Sequence, residues 1–183
     1  MANVILGLLL LSPMSLYALG KAFESGISMF YSGSIGSIKR ALDGLLAEGS
    51  IEVADAEPGP RGKKTYAITP AGRERFDAWL FAEVDDSDAE AGSLARLYFL
   101  GFAPRERRVE VLEAIRRRAV VDLAELEGLA RVIGAQPVPP EFDELARYGT
   151  ATLEAGLHAQ RAKLEWIDGF LAEERGLRDR RPE

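Results

Sequence analysis

The sequence has 183 residues, room for one large domain or two small ones. Its 47% hydrophobic and 28% charged residues are those of a soluble globular chain with a core of its own. It contains no cysteine, which excludes disulfides, thiolate metal sites and a cysteine nucleophile, and which fits a reducing, cytoplasmic setting. The net charge of −6 is unevenly spread. Residues 1–80 carry 8 basic and 8 acidic side chains and residues 81–183 carry 15 and 21, so the C-terminal half is not the one suited to a polyanion.

Val4 to Leu11 is almost purely apolar. No Lys or Arg precedes it, Pro13 follows at once, and it is far shorter than the roughly 20 residues of a membrane span, so a buried first helix is expected rather than a leader or an anchor. Ser15 is placed to cap a second helix, in which Leu16, Leu19 and Phe23 recur at three- and four-residue steps until Ser25-Gly26. A third helix is expected between a Ser34 cap and a closing Gly49. Its apolar stripe is Ile35, Ile38, Leu42, Leu45 and Leu46, and its other side is set by Gly33, Gly36, Arg40, Gly44 and Ala47, with Ser37 beside them.

That second side combines little bulk with one long cation. A helix entering the DNA major groove benefits from both, since the backbone approaches closely and an Arg reaches guanine or phosphate. The alternative is a weak surface helix, but a glycine inside a helix costs about 1 kcal/mol against alanine, so several of them ask for a reason. Ile51 and Val53, and then Thr65 to Ile68, have strand character, and Glu57 to Lys64 between them is a Pro/Gly turn ending in Arg61, Lys63 and Lys64. After three helices such a basic hairpin is suited to serve as a wing that tracks phosphates or enters the minor groove; by itself it is equally a solvated hairpin tip. Thr69-Pro70 starts a further helix with Phe76, Trp79 and Leu80 on its apolar side.

Residues 85–92 are acidic and aperiodic and read as a linker. Leu94, Leu97, Tyr98 and Phe99 mark a short helix. From Ala103-Pro104 a long one follows, with Val109, Leu112, Ile115, Ala119, Leu123, Leu126, Ala130 and Ile133 at nearly heptad spacing. Gln136 to Pro140 breaks it, a last helix carries Leu153, Leu157, Leu164, Ile167 and Leu171, and the charged tail from Arg175 to Glu183 is expected to fray. Two long amphipathic helices do not bury their stripes alone in so small a chain, so a second copy is the expected partner. The fold class is therefore mainly α. It comprises a winged helix-turn-helix over residues 1–84, a linker over 85–92 and a helical dimerisation or effector domain over 93–183.

These residues resemble the PadR family of transcriptional regulators over nearly the whole chain, from Val4 to about Leu171. The resemblance is carried by Gly33 to Leu42, Leu45 to Gly49, the run Lys63-Lys64-Thr65-Tyr66-Ala67-Ile68-Thr69-Pro70-Ala71-Gly72-Arg73, and Trp79. Leu97 to Phe102 and Leu164 to Ile167 are similar to the family's helical region. The chain departs from it at Lys39-Arg40, where many members have Tyr-Pro or Tyr-Arg, so a tyrosine contact to the DNA backbone does not carry over. The resemblance implies a dimeric repressor, often answering to a small aromatic or lipophilic ligand or to stress.

On this reading Ser34 and Ser37 face phosphate, Arg40 faces base edges or phosphate, Lys39 faces a flanking phosphate, and Arg61, Lys63 and Lys64 are wing contacts, with Tyr66 supporting the wing or simply packing in the core. A competing reading is a ligand-binding or scaffold protein without a DNA role, with Tyr98, Phe99, Phe102, Tyr148, Trp166 and Phe170 as candidate pocket residues, although aromatics at helical spacing more often form core. Catalysis has little to stand on. His158 is the only histidine, no base is placed beside a serine, no phosphate-binding glycine loop occurs, and no metal-ligand spacing or cofactor motif is present.

Overall fold

The computed structural model describes residues 1–56, 64–84 and 89–179. The elements are α1 (Ala2–Leu11), β1 (Met14–Ser15), α2 (Leu16–Ser25), α3 (Ile35–Ala47), β2 (Ile51–Ala56), β3 (Lys64–Ile68), α4 (Pro70–Phe81), α5 (Ala89–Tyr98), α6 (Arg108–Gly134) and α7 (Asp143–Asp179), with single 3-10 turns at 27–29, 100–102, 105–107 and 140–142. They form two compact units, Met1–Pro104 and Arg105–Glu183.

In the first unit, three helices and a three-stranded antiparallel sheet of order β1-β3-β2 make a winged helix-turn-helix. α1 is buried from Val4 to Leu9, which accounts for its all-round apolar sequence. Ser15 caps α2 by accepting the N–H of Ala18 at 3.2 Å. The short strand β1 pairs Met14 with Tyr66, and Val53 of β2 meets the same tyrosine from the other side, so Tyr66 is the half-buried centre of the sheet. Ala54 is the extra residue of a β-bulge between Val53 and Asp55, which bends the open edge strand.

The division of the chain differs from the sequence boundaries. Within the stretch read as a linker, residues 85–88 lie outside the described residues and residues 89–92 are the first turn of α5. α5 and the 3-10 turn after it belong to the winged-helix unit, which therefore runs to Pro104 rather than ending at 84. Two side chains account for this. Phe99 is buried against α1 where Gly7 leaves a notch; a Cβ at Gly7 would lie 2.7 Å from the Phe99 ring. Arg96 is also buried, and its guanidinium donates to the carbonyls of Trp79, Glu83 and Gly92 at 3.2–3.3 Å while lying 4.7 Å over the Trp79 ring. It thereby satisfies the open C-terminal end of α4.

The second unit is an antiparallel hairpin of α6 and α7. Its buried seam includes Leu112, Ile115, Ile167 and Leu171, and exposed ion pairs of Glu113 with Arg175, Arg116 with Asp168 and Glu127 with Arg161 run along it. The tail expected to fray is helical as far as Asp179. Arg175 bonds Glu113 at 2.8 Å, and Arg105 donates to the carbonyl of Leu177 at 2.6 Å. Those two contacts hold the last turns in place.

Candidate nucleic-acid interface

α3 is the second helix of the helix-turn-helix, and its two faces differ sharply. Ile38, Leu42 and Leu45 are buried, whereas Ser34, Gly36, Lys39, Arg40, Asp43 and Gly44 are exposed and Ser37 is half-buried. Ile35 belongs to neither face as the periodicity places it. It is 50% exposed, and its Cδ1 lies 2.4 Å from where a Cβ at Gly20 would stand, so it wedges α3 against α2 at the turn. A β-carbon at Gly36 would touch little beyond the Ser34 hydroxyl, and one at Gly44 would meet nothing within 4 Å. Neither glycine is required by internal packing.

The helix begins with mutual serine capping. Ser34 Oγ accepts the Ser37 N–H at 3.2 Å, and Ser37 Oγ donates to the Ser34 carbonyl at 2.8 Å. Both hydroxyls thus have local roles, and the N–H groups of Ile35 and Gly36 at the first two helical positions are the ones left for an outside acceptor. Only the cap geometry distinguishes these two amides from the capped one of Ser37.

Lys39 is fully exposed and bonds Asp43 at 2.7 Å one turn on. This hydrogen bond, aided by the charge of Asp43, holds the ammonium above the usual lysine range. Arg40 is exposed too, and no ion pair among the described residues engages it. It is the long cation available on this face. Its neighbour Lys39 has to leave Asp43 before it meets a phosphate.

The exit of α3 is a Schellman motif. Gly49 has φ 70°, the N–H of Ser50 donates to the Leu45 carbonyl at 2.9 Å, and that of Gly49 to the Leu46 carbonyl at 3.0 Å. From there β2 and β3 form the hairpin. Lys64 opens β3, exposed and in register with Ala56. Arg61 and Lys63 lie outside the described residues.

The six candidate pocket aromatics are divided between the two units. Tyr98, Phe99 and Phe102 are in the first unit and Tyr148, Trp166 and Phe170 in the second. Tyr148 and Trp166 stand on the same continuous helix, about 27 Å apart at 1.5 Å per residue. Trp166 stacks on Phe170, with ring centroids 5.3 Å apart. In the first unit Phe99 is core, and Tyr98 and Phe102 flank an open depression of 310 Å³ that Leu11 and Gly101 complete. His158 donates from Nδ1 to the Glu154 carbonyl at 2.9 Å, one turn back on the same helix, as an exposed surface residue does.

The first unit is thus a winged helix-turn-helix with an outward-facing second helix. Residues 93–173, from α5 into α7, match the family model described as the virulence activator alpha C-terminal domain. Among solved structures the chain is similar to Bacillus subtilis PadR in complex with operator DNA, at 21% identity over 94% of this chain and 98% of that one, TM-score 0.42. It is similar to the PadR-like regulator BC1756 from Bacillus cereus, at 24% identity over 94% of each chain, TM-score 0.41. The Vibrio cholerae virulence activator AphA is similar at 22% identity over 96% and 98%, TM-score 0.39. No curated protein matches the sequence.

Proposed function

We propose that this chain is a sequence-specific transcriptional regulator that binds double-stranded DNA as a homodimer. The observation that carries the reading is the outward face of α3: small residues around one uncommitted arginine, on the second helix of a helix-turn-helix, followed by a hairpin whose strand β3 opens on the exposed Lys64. α3 enters the major groove, with the amides of Ile35 and Gly36 and the hydroxyls of Ser34 and Ser37 near phosphate. Arg40 reaches base edges, and Lys39 reaches a flanking phosphate. Arg61, Lys63 and Lys64 hold the wing to the backbone, and Tyr66, at the centre of the sheet, supports it.

The second unit supports the dimer. Along the hairpin Val121, Leu129, Val132 and Leu145 remain exposed, Leu145 to 70%, which suits pairing with a second copy. Two-fold symmetry then gives a palindromic operator with half-sites about one helical turn, or a multiple of it, apart. Repression is the direction that the PadR resemblance implies, and a promoter fusion in cells with and without the protein decides it against activation. Release by a small aromatic ligand is the finer part of the proposal, with the depression beside Tyr98 and Phe102 as its seat in the first unit.

The test is a titration of the full-length protein against the DNA upstream of its own gene, across a salt series, beside an Arg61→Ala/Lys63→Ala/Lys64→Ala variant. Tight binding that falls steeply with salt supports the reading. The variant should bind weakly with a slope shallower by about three, since each phosphate no longer neutralised removes roughly 0.9. Tight binding that ignores the three substitutions removes the wing from the interface, and failure to bind this DNA or any sequence selected from a random pool argues for the scaffold alternative.

A further inference from the structure

One hydroxyl joins the exit of α3 to the start of α4. Thr69 Oγ1 donates to the Gly49 carbonyl at 2.7 Å and accepts the Gly72 N–H at 3.1 Å. The Thr69 N–H donates in turn to the Ser50 carbonyl at 3.1 Å. The two segments touch at backbone level, since a Cβ at Gly72 would lie 2.0 Å from Ser50 O. One turn further along, Arg75 forms an ion pair with Glu48, the C-cap of α3. The chain leaves α3 through Gly49 at positive φ, a conformation that does not by itself fix the direction in which β2 departs.

We propose that Thr69 is a positioning residue for DNA recognition, its single hydroxyl setting the pose of α3 by tying Gly49 to the first turn of α4. This rests on the DNA-binding reading above. A hydroxyl has one proton and two lone pairs, so donation to Gly49 and acceptance from Gly72 occur together. Valine keeps the shape of threonine and loses both bonds, serine keeps both, and aspartate keeps the helix cap but has no proton for Gly49. Without the tie α3 samples poses that do not match the groove, and affinity falls by the fraction of molecules still competent.

The experiment uses the full chain, DNA recovered by selection from random sequence, and amide hydrogen exchange without DNA. Thr69→Val should bind about tenfold more weakly, the equivalent of one to two net hydrogen bonds. Its salt slope should stay that of the parent, because every phosphate keeps its partner. Thr69→Ser should bind within about twofold of the parent. Exchange at Gly49 and Ser50 should accelerate in Thr69→Val and in Thr69→Asp, while the Gly72 amide stays protected in Thr69→Asp; these two measurements hold even if Thr69→Val is too unstable for binding work. Parental affinity in a folded Thr69→Val, equal weakening by Val and Ser, or unchanged exchange at Gly49 and Ser50 in both variants overturns the proposal. If the parent selects no DNA while the exchange pattern appears, the DNA-binding reading fails and the tie between α3 and α4 stands.

Discussion

In the proposed DNA complex, Arg40 is the residue assigned to base edges. If it reads a guanine through both nitrogens, Arg40→Ala should weaken binding to the selected site by about 1–3 kcal/mol and relax the base preference at one position of each half-site. Arg40→Lys should not restore it, because an ammonium lacks the planar fork. Competition titrations against single-base variants of the site check both; an unaltered preference in Arg40→Ala would place Arg40 on phosphate instead. Gly72 tests packing at the same scale. Its missing side chain admits the Ser50 carbonyl, so Gly72→Ala forces the backbones apart and should lower stability by about 1–3 kcal/mol or more in a denaturant melt. Gly44→Ala, in open space on α3, should leave stability unchanged or slightly raised. The sequence showed that α3 was rich in glycine but not which glycines matter to packing, because that depends on what the fold brings opposite each one.

At the scale of elements, periodicity and end signals made most of the chain legible. Ser15, Ser34 and Thr69 cap the helices they were expected to cap, and Gly49 closes α3. What periodicity could not supply was long-range satisfaction of polar groups. Arg96 reads as an ordinary charged helix residue until the carbonyls of Trp79 and Glu83 are found beside it, and Arg175 as a frayed tail until Glu113 is found across the hairpin. The paired helices also predict a pH response. Hydrogen bonding to Arg116 holds the Asp168 carboxyl below its ordinary range. A depressed carboxyl contributes stability that is present above the unfolded-state value and is lost as pH falls through the folded-state one. Thermal melts of the parent and Asp168→Asn should therefore differ slightly at neutral pH, as befits an exposed pair, and converge in acid. A gap that widened on acidification would contradict the assignment.

For the whole molecule, the proposal divides the work between the two units: the winged helix for DNA, and the helical hairpin, with Val121, Leu129, Val132 and Leu145 exposed, for a second copy. Val132→Glu, at one of those exposed positions and away from the winged helix in sequence, should shift sedimentation from dimer to monomer and weaken operator binding, while leaving the secondary structure intact. The grouping of the candidate aromatics was the least legible feature, because helical spacing alone does not tell that Tyr148 and Trp166 stand on one continuous helix, about 27 Å apart along it. The most direct measurement is selection of DNA from a random-sequence pool by the full-length protein, followed by sequencing. A homodimeric DNA reader should enrich a two-fold palindrome whose half-sites lie about one helical turn, or a multiple of it, apart. A pool that stays random after repeated rounds, with the protein folded, would contradict that function.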